Sequence, residues 1–303
     1  MSLNPQQLSE NLIRLREADP LIHCITSPVA INDCANAVLA AGARPFMAEH
    51  PAEVEEVTAA AAALSVSLAN LTDARIASVM IAGAKARELG KPSVIDAVGT
   101  AAINSRLELA RRYAAECRPA VIKGNATEIR ALAGAVCGAS GASSGGSSGA
   151  GSGIVSGASD RRAGIDTAPE DQVRQADGDA ARALGHILKE LSRQTGAVVL
   201  ASGAVDMLSD GTWIWAVENG SPAMARVTGT GCVLSCLIAS LLAVADTPLE
   251  AALTAVTLWG IAGELAKEAL EKGLGSYHVA LIDALSRIDA EKFRELARVS
   301  RME

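Results

Sequence analysis

Short apolar runs alternating with longer helical stretches constrain this 303-residue chain more than any other feature. Pro20 to Thr26, Arg44 to Ala48, Leu64 to Ala69, Ser93 to Asp96, Pro119 to Lys123 and Ala197 to Ala201 read as strands. Between them lie helical segments: Ile31 to Ala41, closed by Gly42, then a stretch opening at His50-Pro51, then Asp73 to Leu89, Ser105 to Cys117 and Ala126 to Leu132. Glu53, Glu55 and Glu56 suit the first turn after Pro51, where acids complement the helix dipole. Strands that are continuously apolar are buried on both faces, and helices at this spacing are the crossovers between parallel strands. The expected fold class is therefore α/β, a mostly parallel central sheet with helices on both faces. Val205 to Leu208 and Trp213 to Val217 add an antiparallel pair turning at Ser209-Asp210-Gly211.

Half the residues are hydrophobic, yet only three Trp, two Tyr and two Phe are present, so the core is aliphatic and suits helices packed closely on a sheet. A net charge of −7 argues against nucleic acid or an anionic membrane as main partner. The polar Met1 to Glu10 lacks a signal peptide's apolar stretch, and Val233 to Ala245 is too short to span a bilayer, so a cytoplasmic protein is expected. The six cysteines form no Cys-x-x-Cys pair and read as reduced thiols. The Gly/Ser/Ala tract at about 138–164 reads as a flexible insertion within a single domain spanning 1–303. Helices are expected again over Gln172 to Arg193, Leu249 to Glu271 and His278 to Ile288.

The chemistry concentrates at strand ends, where α/β sheets bind ligands. Asp96 closes Ser-Val-Ile-Asp, Lys123-Gly-Asn-Ala-Thr-Glu128 follows Ala-Val-Ile, and Ser202-Gly203 follows Val-Val-Leu-Ala. Val227-Thr-Gly-Thr-Gly-Cys232 then runs into an apolar helix-forming segment. Gly229 and Gly231 allow backbone conformations barred to other residues and a close ligand approach. The helix start behind them offers unpaired N–H groups and partial positive charge, an anion pocket suited to phosphate. Phosphoryl transfer needs such a cradle, a cation and a positioned hydroxyl. Asp96 and Glu128 are hard oxygen donors for Mg²⁺, direct or through water, and Lys123 can neutralise nucleotide phosphate. Bland readings stand beside these: Asp96 as a turn cap, and Asn125 with Glu128 as a helix-capping pair.

Taken jointly, His23-Cys-Ile-Thr-Ser-Pro-Val-Ala-Ile-Asn-Asp-Cys-Ala-Asn36, Gly42-Ala-Arg-Pro-Phe-Met47, Asp96-Ala-Val-Gly99, Lys123 to Glu128, Gly203 to Asp206, Val227 to Cys232 and Gly275-Ser276 resemble the hydroxyethylthiazole kinases of the ribokinase-like superfamily. The resemblance implies ATP- and Mg²⁺-dependent phosphorylation of the primary alcohol of 4-methyl-5-(2-hydroxyethyl)thiazole, serving thiamine salvage, by a homotrimer. It assigns Met47, Gly229 and Asn32 to the thiazole, Lys123, Ser202 and Asn125 to ATP, and Asp96 and Glu128 to Mg²⁺. Gly229 and Gly231 would form the anion hole. Cys232 stands where most ribokinase-like enzymes carry Asp, and is either a base for the acceptor hydroxyl or a residue that shapes the pocket. The chain departs from the family pattern at Cys24 and Ser27 (Asn), Ala97 (Pro), Lys123 (Arg), Ser202 (Thr) and Ala204 (Glu). Lys123 keeps charge but loses a bidentate fork. Two alternatives carry the same fold: a kinase for a pyrimidine or pyridoxal-like alcohol, and a catalytically silent ligand-binding homologue.

Overall fold

The computed structural model describes residues 3–138 and 178–302. The tract expected to be a flexible insertion lies, beyond Gly138, outside the described residues, as do residues 172–177 of the helix expected from Gln172.

Nine strands form one sheet: β1 (Leu21–Ile25), β2 (Arg44–Phe46), β3 (Ala63–Ser67), β4 (Ser93–Asp96), β5 (Val121–Asn125), β6 (Val198–Ser202), β7 (Asp206–Ser209), β8 (Ile214–Val217) and β9 (Val299–Met302). Their order is β2-β1-β3-β4-β5-β6-β7-β8-β9. The first six strands pair in parallel, and β6 to β9 continue antiparallel. The helices are α1 (Pro5–Ala18), α2 (Ile31–Ala41), α3 (Val54–Ala60), α4 (Asp73–Glu88), α5 (Asn104–Cys117), α6 (Ala126–Cys137), α7 (Asp179–Thr195), α8 (Thr230–Leu242), α9 (Pro248–Leu265), α10 (Leu274–Arg287) and α11 (Ala290–Leu296). The mostly parallel α/β architecture and the β7–β8 turn match the sequence expectation.

Two cores flank the sheet. Val94, Val121, Val198 and Leu200 point to the side of α1, α2, α8, α9 and α10. Ile95, Ile122, Val199 and Ala201 point to the side of α4, α5, α6 and α7. This alternation is the two-residue side-chain period of a strand, here apolar both ways because both faces are covered. The same period orients the polar strand ends: Asp96 and Lys123 share the parity of Val94 and Val121, so both face α8. That helix is buried from Cys232 to Leu242 and packs on α9. The helix 248–272 is long and apolar enough to cross a membrane by composition, but most of it is buried inside this fold.

Three elements escape the apolar-run reading. Helix α1 is signalled only by its cap: Asn4 accepts the Gln7 N–H, and the Gln7 side chain accepts the Asn4 N–H in return. Helix α11 and β9 are short, and β9 is a mostly exposed edge strand.

Candidate active site

Register builds the site. Ser67 pairs with Asp96, and Asp96 pairs with Lys123, across β3, β4 and β5. All three side chains are buried on the α8 side. The Lys123 ammonium donates to Asp96 Oδ1 at 3.0 Å and to the Gly231 carbonyl at 3.0 Å. Burial pulls the Lys123 pKa down, but Asp96, with Cys232 and Glu128, outweighs this and holds it above its usual value. One step further along the sheet, Asn125 pairs with Ser202, whose hydroxyl donates to the Gly124 carbonyl at 3.3 Å.

Helix α8 meets this polar row with its N-terminus. Its cap residue Gly229 has φ +85°, and among the described residues no side chain caps the first turn. The N–H groups there stay available to an anion. The two loop glycines differ in what they do. Gly229 needs its left-handed backbone, and an added Cβ would also lie 2.7 Å from the Ala30 Cβ. Gly231 has ordinary helical backbone, and its missing Cβ instead leaves room for the Lys123 ammonium, 3.0 Å away. The Trp259 indole N–H donates to the Thr230 carbonyl at 3.2 Å, fixing the same turn from α9.

Cys232 is buried in that first turn, its Sγ 3.8 Å from Ser67 Oγ. Burial first, and then the charge of Asp96, push its thiol up to about 11, against an opposing pull from Lys123. A helix start alone therefore does not make this thiol acidic. One turn on, Cys236 Sγ lies 3.7 Å from Ser65 Oγ, and all six cysteines are free.

Asn125 and Glu128 do form the capping pair. Asn125 Oδ1 accepts the Glu128 N–H at 2.9 Å, and Glu128 Oε2 accepts the Asn125 N–H at 2.7 Å, a complete capping box. Glu128 Oε1 also accepts the Gly99 N–H at 2.6 Å. Burial, then repulsion from Asp96, raise the Glu128 carboxyl to about 7 despite these bonds. Asp96 is paired with the Lys123 ammonium, whereas the buried Glu128 carboxyl is held by backbone N–H groups, and two carboxyls beside one ammonium make a donor set that fits a divalent cation. Among the described residues no group of three or more His, Cys, Asp or Glu is arranged for a metal. Two carboxylates suit Mg²⁺, which keeps water and phosphate ligands.

The residues that the resemblance assigns to the acceptor lie near α2. Met47 packs half-buried against the α8-side core, and Asn32 stands on the exposed face of α2, where it accepts the Asn36 amide at 2.8 Å. Ser27 donates to Asn70 Oδ1 at 2.7 Å. His23 is a satisfied core histidine, with Thr58 Oγ1 at 2.8 Å and the Ala48 carbonyl at 3.0 Å. Asp206 accepts the Gly203 N–H at 2.8 Å and shapes the turn into β7. A cavity of about 360 Å³ lies elsewhere, among the C-terminal ends of α5, α6 and α7, and contains none of these residues. Sequence reasoning missed Ser67 and Trp259; the alternation Ser65-Val-Ser67 in an apolar run was the available signal for the first.

A ribokinase-like superfamily protein from Enterococcus faecalis V583 superposes with TM-score 0.58 at 13% identity, covering 95% of this chain and 96% of that one. The fold is accordingly that of the ribokinase-like α/β proteins. The profile of the HK, hydroxyethylthiazole kinase family matches residues 12–165 and 168–291. Hydroxyethylthiazole kinase 2 of Clostridium botulinum (strain Hall) is 39% identical over 281 residues, covering 93% of this chain and 95% of that protein. The structure of the hydroxyethylthiazole kinase protein from Pyrococcus horikoshii OT3 is similar at TM-score 0.77 and 33% identity, covering 98% and 99%. The chain belongs to the hydroxyethylthiazole kinase family.

Proposed function

We propose that this protein transfers the terminal phosphoryl group of ATP to the primary alcohol of 4-methyl-5-(2-hydroxyethyl)thiazole, with Mg²⁺, and that it works in the cytoplasm in thiamine salvage. The observation that carries the reading is the uncapped start of α8 set directly against the Asp96–Lys123 pair. The first-turn N–H groups from Gly229 to Cys232 receive the transferred oxygens, electrostatic stabilisation that a loose phosphoryl transition state needs. Asp96 and Glu128 would hold Mg²⁺, whose chemistry there is charge neutralisation of the phosphates. Ser202 and Asn125, paired at the ends of β6 and β5, face the nucleotide. Met47, Gly229 and Asn32 flank the acceptor. Cys232 acts through its shape and its S–H, because a thiol at about 11 is protonated at physiological pH.

The self-association implied by the resemblance has support on the surface. Val29, Leu39, Phe46 and Val279 are exposed apolar residues around α2, the β2 edge and α10, and α10 packs on α2. This is the surface we assign to trimer contacts beside the acceptor side.

The test is coupled ADP release with Mg-ATP and the thiazole alcohol, beside a pyrimidine-alcohol and a pyridoxal control. Selective turnover of the thiazole is expected. Turnover of a control alone would move the acceptor assignment, and thiazole binding without ADP formation would support the silent homologue instead.

A further inference from the structure

Lys123 is the one buried ammonium among the described site residues, its side chain only 5% exposed. Its Nζ is shared between Asp96 Oδ1 and the Gly231 carbonyl, each at 3.0 Å, and both Lys123 and Asp96 are at least 95% buried. These contacts tie three elements together: β4 through Asp96, β5 through Lys123 and the first turn of α8 through Gly231. The absence of a Cβ at Gly231 is what admits the ammonium, since an added Cβ would stand 3.0 Å from Nζ. Glu128 supplies a second buried carboxylate whose oxygens are bonded to backbone N–H groups rather than to the ammonium.

We propose that Lys123 is a positioning residue, a counter-ion latch that occupies Asp96 and pins the glycine turn, and that must yield Asp96 for a divalent cation to load. The proposal rests on the reading of Asp96 as a metal-side carboxylate. An ammonium within ion-pair distance of the carboxylate that a divalent cation needs repels that cation, even at the effective dielectric of buried sites. Metal affinity and the shape of the phosphate cradle are then set by the same side chain. With Asp96 engaged by a cation, the Lys123 ammonium would lose one of its two partners and be available to phosphate. A residue that served only as a nucleotide contact would show neither coupling.

The experiment is Mn²⁺ binding without nucleotide, followed by electron paramagnetic resonance on the full chain, for wild type, Lys123→Gln and Gly231→Ala. Glutamine can still hydrogen-bond Asp96 or the Gly231 carbonyl but carries no charge, so Lys123→Gln is expected to bind Mn²⁺ on the order of tenfold more tightly while losing turnover. Gly231→Ala keeps the lysine but crowds its ammonium away from the carbonyl toward Asp96, and weaker Mn²⁺ binding is expected. It has ordinary helical backbone and remains a test should Lys123→Gln fail to fold. Mn²⁺ affinity unchanged in the folded variants, with only the KM for ATP raised, would overturn the latch and leave Lys123 a simple nucleotide contact. Wild-type protein that neither binds Mn²⁺ nor phosphorylates any alcohol would overturn the metal reading itself, a separate outcome.

Discussion

Replacing Gly229 by alanine tests the cradle most directly. Its φ of +85° is the left-handed region, which costs an L-residue about 1 kcal/mol. The new Cβ would meet the Ala30 Cβ at 2.7 Å, so the start of α2 and the glycine turn must separate by about 1 Å to reach carbon contact distance. Overpacking of this kind adds about 1–3 kcal/mol. The sum, about 2–4 kcal/mol, corresponds to a Tm lowered by roughly 3–6 °C for a chain of this size. A displacement of about 1 Å at the phosphate-binding amides is expected to slow turnover about 100-fold. Scanning calorimetry and coupled ADP release on the same preparation read both effects. Gly134→Ala is the control: it lies within α6 with nothing inside 4 Å of an added Cβ, so it is expected to stabilise by up to about 1 kcal/mol. A Gly229→Ala protein with unchanged Tm and turnover within about threefold of wild type would refute the reasoning from φ and contact to catalysis.

Cys232→Ser is expected to keep turnover within about tenfold and to leave its pH profile between about 7 and 9 unaltered; loss of a true general base would show as a drop of about 100-fold or more. For Glu128, the folded pKa near 7 lies above the ordinary 4.5, so its contribution favours the folded state at low pH and is lost as pH rises through about 7. Metal-free wild type should therefore lose stability relative to Glu128→Gln between about pH 4.5 and 7, by on the order of 3 kcal/mol at most, and parallel curves in thermal melts would contradict the assignment. His23 runs the other way: burial holds its pKa below the usual 6.5, so its stabilisation is present above that value and lost on acidification, a loss that His23→Gln should reduce in acid-unfolding curves. Trp259→Phe removes the hydrogen bond to the Thr230 carbonyl; we expect about 1 kcal/mol less stability and a kcat that falls more than the acceptor KM rises.

Much of this was legible in the chain, for identifiable reasons. Buried parallel strands are apolar without interruption, so Ser93 to Asp96 and Ala197 to Ala201 stand out, and the polar residue ending each run marks the ligand-binding edge of the sheet. Glycines at 229 and 231 mark a helix start, but their separate reasons did not show. A positive φ and a lysine lying against a missing Cβ look identical as letters. The Lys123–Asp96 contact was hidden because register between strands is a tertiary fact, although the shared parity of the two residues was available once the pairing was known. The same blindness applied to Trp259, which reads as core in an apolar helix and acts there through one N–H. Helix α1 was missed for the opposite reason: its mean composition is polar, and only the Asn4 to Gln7 cap marks it.

The placement of α8 has a consequence for how such enzymes change. The proposed phosphate half of the site is welded into the middle layer of the protein: its amides begin a helix that is buried from Cys232 onward, and its charged groups hang from adjacent central strands. The proposed acceptor half hangs from the margin, on the turn before α2 and on the edge strand β2, where Val29 and Phe46 are already at the surface. On the proposed reading, substitutions at the margin reshape the alcohol that is accepted while the core keeps delivering the same phosphoryl group. On the same reading Ser27 falls on the exchangeable side, whereas Lys123 belongs to the shared engine.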